Sequence, residues 1–159
     1  MSRFTRDQLR QRSFERAAWV LRHYWEEQQD DDKRDARVHT RLFDSLVPDI
    51  EVVGTSINGG GHKEHLVPCA YLRNRAFAMF HEWKSKKDIS EVEKDVAEML
   101  SRFLRIARIT PAEAHRLDHE LKLKTEMPDG WNFETGSVMA RLEAAGIELG
   151  AGQPTGHTT

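Results

Sequence analysis

The chain has a single cysteine, Cys69, among its 159 residues. That excludes an internal disulfide framework and makes a reducing compartment, the cytoplasm, the expected setting. No apolar run comes near the roughly 20 residues that a membrane-spanning helix needs. Charge interrupts every apolar cluster close to the N-terminus, so no signal-peptide core is present and no membrane partner is expected. A dominant charge of one sign is also missing. The 24 basic side chains face 26 acidic ones, for a net charge of −2, which excludes bulk attraction of a polyanion. No segment repeats. What is present, 38% apolar residues over this length, suffices for one domain with a real core.

Most of the chain reads as helix. Thr5-Arg6-Asp7-Gln8 has the form of a capping box, and Phe14, Ala18, Leu21 and Trp25 follow at helical spacing. This first helix is expected to end at Asp30-Asp31-Asp32. A second is predicted over 36–46, stopped by Pro48. After Pro68, Leu72, Ala76, Met79 or Phe80, and Trp83 share a stripe. Ser90-Glu91-Val92-Glu93 again has the capping-box form and opens the most regular helix, with Val92, Val96, Met99, Phe103 and Ile106 on its buried face. Thr110-Pro111-Ala112-Glu113 repeats the start signal with proline in the first turn. Met127-Pro128-Asp129-Gly130-Trp131 reads as a turn, and a last helix over 137–145 ends with Gly146 as its cap. The best strand is 50–54, β-branched and bounded by turn residues, with Ile57 or residues 131–133 as its expected partner. The expected fold is therefore mainly α: one compact helical domain over 1–149, of five to six helices, with a small β element beside a Gly/His-rich loop at 54–69. Residues 150–159 lack apolar anchors and read as a disordered tail.

That loop concentrates the chemistry. Gly59-Gly60-Gly61-His62-Lys63-Glu64-His65-Leu66-Val67-Pro68-Cys69 offers two imidazoles, a carboxylate and the thiol within a short span. These are groups that bind metals or move protons near neutral pH, and glycine lets backbone approach a ligand closely. A plainer account has the glycines serving only a turn. Cys69 with His65 as its base would be too close in sequence to orient as a nucleophilic pair, and Cys69 reads better as a small buried hydrophobe.

Glu64-His65-Leu66-Val67-Pro68 resembles the acidic-His-aliphatic-x-Pro core of HNH, or His-Me finger, nucleases. The resemblance implies that Glu64 ligates a divalent metal, magnesium or manganese, and that His65 activates water against a phosphodiester. The finger normally continues through a second strand into a helix that supplies a further Asn or His ligand. Here a helix follows Pro68 almost at once, so Asn74 and His81 are the substitutes to consider. The run through Cys69 with its helical sequel also resembles small proteins of bacteria and their phages, a likeness that implies no activity.

A second constellation competes. His115-Arg116-Leu117-Asp118-His119 places His115 and His119 one turn apart on a helix. Together with His62, His65 or Cys69 they allow a zinc site to be drawn, although no paired cysteines support it and both histidines also suit the edge of a core. For nucleic acid, Arg102, Arg105 and Arg108 follow helical spacing and Arg73 lies on the helix after Pro68; these, with Lys84, Lys86 and Lys87, are backbone-contact candidates. The arginine-rich first helix (Arg3, Arg6, Arg10, Arg12, Arg16 and Arg22) is a further one, although a solvated face explains it more simply. Two functions follow as expectations. One is divalent-metal-dependent, HNH-like cleavage of nucleic acid. The other is a non-enzymatic protein-interaction module, zinc-stabilised or not, such as a small phage or prophage regulator or inhibitor.

Overall fold

The computed structural model describes residues 2–30, 41–83 and 88–150. Expectations for 31–40, for Lys84, Lys86 and Lys87, and for the tail at 151–159 lie outside these residues. The fold is mainly α, with six α-helices and one three-stranded sheet among the described residues. By their internal contacts the residues fall into two units. A helical unit comprises 1–49 and 72–102, and a sheet unit comprises 50–71 and 103–159.

In the helical unit, helix α1 spans Arg6–Asp30. The capping box forms as its sequence predicts: the Gln8 amide donates to the Thr5 hydroxyl at 3.1 Å, and the Thr5 amide donates back to the Gln8 side chain at 2.9 Å. Phe14, Ala17, Ala18 and Leu21 are buried along one face. Arg6 and Arg10 both reach Asp49, at 2.9 and 3.3 Å, and Arg16 donates to the Leu46 carbonyl, so half of the arginine-rich stretch holds the fold. Helix α2 is Leu42–Leu46, ending before Pro48. Helix α3 runs Cys69–His81 and belongs to this unit from Leu72 onward; Leu72, Ala76 and Phe80 are buried, and Phe80 stacks on Trp25. Helix α4 is Ile89–Phe103. Its cap differs from expectation. Asp88, not Ser90, closes the helix start, its carboxylate accepting from the Ser90 amide at 3.1 Å. The cap, and with it the helix start, lies two residues earlier than a Ser90 cap would place it, which puts Ser90 within the first turn.

The sheet unit holds strands β1, Val52–Thr55, β2, His62–His65, and β3, Ile106–Ile109, in the order β1-β3-β2. β1 is parallel and β2 antiparallel to β3. The partner of β1 is thus neither Ile57 nor residues 131–133. It is a strand that the sequence reading assigned to the end of α4. Ile106 keeps helical spacing from Phe103, but α4 stops at Phe103, and Ile106, Ala107 and Ile109 are buried in the sheet. Non-local pairing overrides a local periodicity here.

Helix α5, Pro111–His115, opens with the expected Thr110–Glu113 capping box. It passes directly into a π-helical turn, Arg116–Glu120, closed by Lys122 at φ 56°. Helix α6 is Ala140–Ala144, shorter than predicted, and Gly146 at φ 67° caps it while the Ile147 amide returns to the Leu142 carbonyl. Leu66, Ala107, Ile109, Ala114, Leu117, Leu142, Ala145 and Ile147 form one apolar cluster between sheet and helices. Residues 131–133 instead join an aromatic cluster in which Trp131 and Phe133 pack on Tyr71 and Phe103.

Candidate functional site

The Glu-His motif lies on β2, the central element of the candidate site. Side chains alternate along a strand. In register with β3, His62 and Glu64 share the face of Ile109 and Ala107, while Lys63 and His65 share the face of Arg108 and Ile106. The structure therefore brings His62 to Glu64, with Nε2 3.3 Å from Oε1, and directs His65 to the other side of the sheet.

Glu64 is held by a residue to which sequence reasoning assigned no role. Arg141, on α6, is fully buried, and both its terminal nitrogens lie 3.4 Å from Glu64 Oε2. The same guanidinium donates to the carbonyl of His65 at 2.6 Å, to that of Leu66 at 3.4 Å and, through Nε, to that of Leu123 at 2.9 Å. One planar cation thereby fixes the end of β2, the entry to Pro68 and the segment after the π-turn. Burial pushes the guanidinium below its ordinary value, and the Glu64 and Asp118 carboxylates partly restore it. An arginine stays charged under these conditions, so the site is built around a cation that needs its carboxylate.

The glycine loop has a structural partner too. Glu113 is 3% exposed, and its carboxylate accepts from the Thr110 amide, the Ser56 hydroxyl and the Asn58 side chain, at 2.8, 2.9 and 3.3 Å. Burial raises its pKa, but these hydrogen bonds together outweigh burial and leave it lowered. Gly59 follows at φ 131°, a conformation that L side chains rarely adopt, and a Cβ on Gly60 would lie 2.7 Å from Thr55 Cγ2. Close backbone packing accounts for these two glycines without a ligand. Sequence reasoning saw Glu113 only as a cap; the Ser56 and Asn58 contacts cross more than fifty residues and carry no local signal.

The remaining candidates scatter. Cys69, in no disulfide, is partly buried at the first residue of α3. Asn74 and His81 are exposed and lie on the part of α3 assigned to the helical unit, and Asn74 Oδ1 accepts from Arg73 Nε at 3.2 Å. The rings of His115 and His119 come within 4.6 Å, yet both are exposed. Among the described residues, no group of three or more His, Cys, Asp or Glu side chains could hold a metal ion. Arg102, Arg105 and Arg108 do not form one helical strip: Arg102 is in the last turn of α4, Arg105 lies between α4 and β3, where it pairs with Glu51, and Arg108 is on β3. Lys63 and Arg108 stand directly opposite each other on the sheet face away from Glu64.

No known protein family, curated protein or solved structure matches this chain. Glu64 has one oxygen tied to Arg141 and the other turned to His62. That arrangement can neutralise a buried cation, and it can present one carboxylate oxygen and one imidazole nitrogen to a small ligand. Two donors fall short of a zinc site but are enough for a magnesium ion that keeps its waters. The helical unit has a separate cleft of about 510 Å³, lined by Glu15, Glu93 and Glu98 with Lys94, that no sequence motif announced.

Proposed function

We propose that this chain is a non-enzymatic protein-interaction module, of the kind a small regulator or inhibitor provides, and that its Glu-His strand serves the fold. The observation that carries this reading is the Glu64–Arg141 pair. A fully buried guanidinium bonded to three backbone carbonyls needs a nearby counter-charge, and Glu64 supplies it. The orientation of His65 to the opposite sheet face supports the same reading, since a base and a metal ligand acting on one phosphodiester must converge on it.

A second reading has its own support in the 3.3 Å approach of His62 to Glu64. Here the site is a divalent-metal-dependent phosphodiesterase with His62 and Glu64 as ligands for magnesium or manganese. Arg141 would orient the carboxylate, as hydrogen bonds to metal-ligating carboxylates do.

One experiment separates the two. Plasmid, linear and single-stranded DNA are incubated with the protein and magnesium, manganese, nickel or zinc, beside His62→Ala and His65→Ala controls of verified fold. The module reading expects no cutting that depends on either histidine, together with a large loss of thermal stability in Glu64→Ala. Metal-dependent cleavage that disappears in a folded His62→Ala or His65→Ala protein would overturn it and install the phosphodiesterase.

A further inference from the structure

Helix α1 presents a regular stripe on the side away from its buried residues. Leu9, Arg12, Arg16, Trp19, His23, Glu26 and Asp30 recur at alternating spacings of three and four, and all seven are exposed. These residues line one face of the helix. Only Leu9 and Trp19 are apolar, and the rest are charged or imidazole, so a partner on this face must be met by charge as well as by an apolar anchor. Trp19 sits near its middle, 52% exposed, with its ring 4.0 Å from that of His23. A tryptophan left in water at the centre of a helix face is an expected anchor for association. The seam is also polar in the electrical sense: its N-terminal half carries Arg12 and Arg16, and its C-terminal half carries Glu26 and Asp30.

We propose that α1 pairs antiparallel with α1 of a second copy of this chain, about a two-fold axis lying between Trp19 and His23. In that register Trp19 of each copy meets His23 of the other, Arg16 meets Glu26, and Arg12 meets Asp30. These three layers are self-complementary, as an isologous interface requires. A parallel pair would set Arg12, Arg16, Glu26 and Asp30 each against its own copy, so charge repulsion selects the antiparallel dimer. Within one copy Arg22 bonds Glu26 at 2.6 Å, Arg16 donates to the Leu46 carbonyl and Arg12 lies 4.5 Å over the Phe4 ring, so Glu26, Arg16 and Arg12 would each share their charge between their own chain and the facing copy. The proposal stands on α1 alone and does not rest on the reading of the sheet unit.

The test is the molar mass of the full chain by sedimentation equilibrium over a concentration series, at low and high salt. The expected result is a reversible dimer that weakens as salt screens the Arg–Asp and Arg–Glu layers. Trp19→Ala should weaken it by at least about tenfold, as loss of a central aromatic anchor does. Arg12→Glu alone and Asp30→Arg alone should each weaken it, and the two changes combined on one chain should restore it. Circular dichroism confirms that each variant is folded. Since Trp19, Arg12 and Asp30 are all exposed, their replacement leaves the core untouched. A folded protein that stays monomeric up to about 1 mM would overturn the proposal, as would a dimer indifferent to Trp19→Ala or one that the combined charge exchange fails to restore.

Discussion

The two units of this chain are held together by different chemistry. In the helical unit the buried side chains are almost all apolar, and charge stays at the rim, as in the exposed Arg6–Asp49 pair. In the sheet unit three polar groups lie inside: Arg141, Glu113 and Ser56 are each at most 5% exposed, and all are hydrogen-bonded. The difference follows from the size of the elements. A 25-residue helix and a 15-residue helix satisfy their own backbones and need only apolar faces to associate. Strands of four residues and helices of five leave many ends, and each end exposes carbonyls or amides that side chains must satisfy. Arg141 and Glu113 do that work for the sheet unit.

The strongest way to break this contrast is to remove Arg141. Arg141→Ala leaves three carbonyls and the Glu64 carboxylate without their cation. It should cost about 3–5 kcal/mol by urea denaturation, the cost of breaking a buried ion pair from one side. Glu64→Ala should be of the same order, because it removes the one carboxylate bonded to the buried guanidinium and leaves it backbone carbonyls and the weaker influence of Asp118. The double variant should lose clearly less than the sum of the two, since each single change strands the other partner. Additive losses would mean that Arg141 acts through its carbonyls alone and that Glu64 is not required as its counter-charge.

What the sequence made legible divides along the same line. Helix starts were readable at Thr5–Gln8 and Thr110–Glu113, whose bonds are local, and the Gly146 cap for the same reason; at α4 two local caps competed, and Asp88 rather than Ser90 closes the start. The first helix and its buried face needed only periodicity. β3 was not readable, because residues 106–109 gain their strand conformation from partners on β1 and β2 far along the chain. Arg141 was invisible for a related reason. Its carboxylate partner lies 77 residues away, and within its own short helix it looks like any solvated arginine. The motif residues were expected in a loop at 54–69 and lie on strand β2 instead, and only the strand's pleat shows that Glu64 joins His62 and not His65.

A smaller effect, and one tied to pH, is expected at Glu113. Glu113→Ala removes half of a capping box and leaves Ser56 and Asn58 without their acceptor, for a loss of about 2–3 kcal/mol near neutral pH. The folded carboxyl titrates below its unfolded value of about 4.3. The stability it contributes is therefore complete above that unfolded value and disappears as pH falls through the lower, folded one. Thermal melts of the native chain and Glu113→Gln from pH 7 downward should converge once the pH has fallen through the lowered, folded value. Curves that stay parallel throughout would show that the charge of Glu113 does not matter and that its shape alone holds the loop.

The least consequence is expected at the surface of the helical unit. The Arg6 hydrogen bond, ahead of the charges of Arg10 and Arg6, holds the Asp49 carboxyl below its usual range, but the Asp49 side chain is 45% exposed. Solvent screens such a pair, and an asparagine keeps a side-chain acceptor for Arg6, so Asp49→Asn should cost no more than about 0.5 kcal/mol. Salt then separates the two kinds of charge. Raising ionic strength should erase the difference between Asp49→Asn and the native chain while leaving the cost of Arg141→Ala nearly unchanged, because counter-ions reach the rim and not the interior. If high salt closed both gaps equally, the guanidinium of Arg141 would be in contact with solvent in the working protein, and Glu64 would be free to bind something other than its own fold.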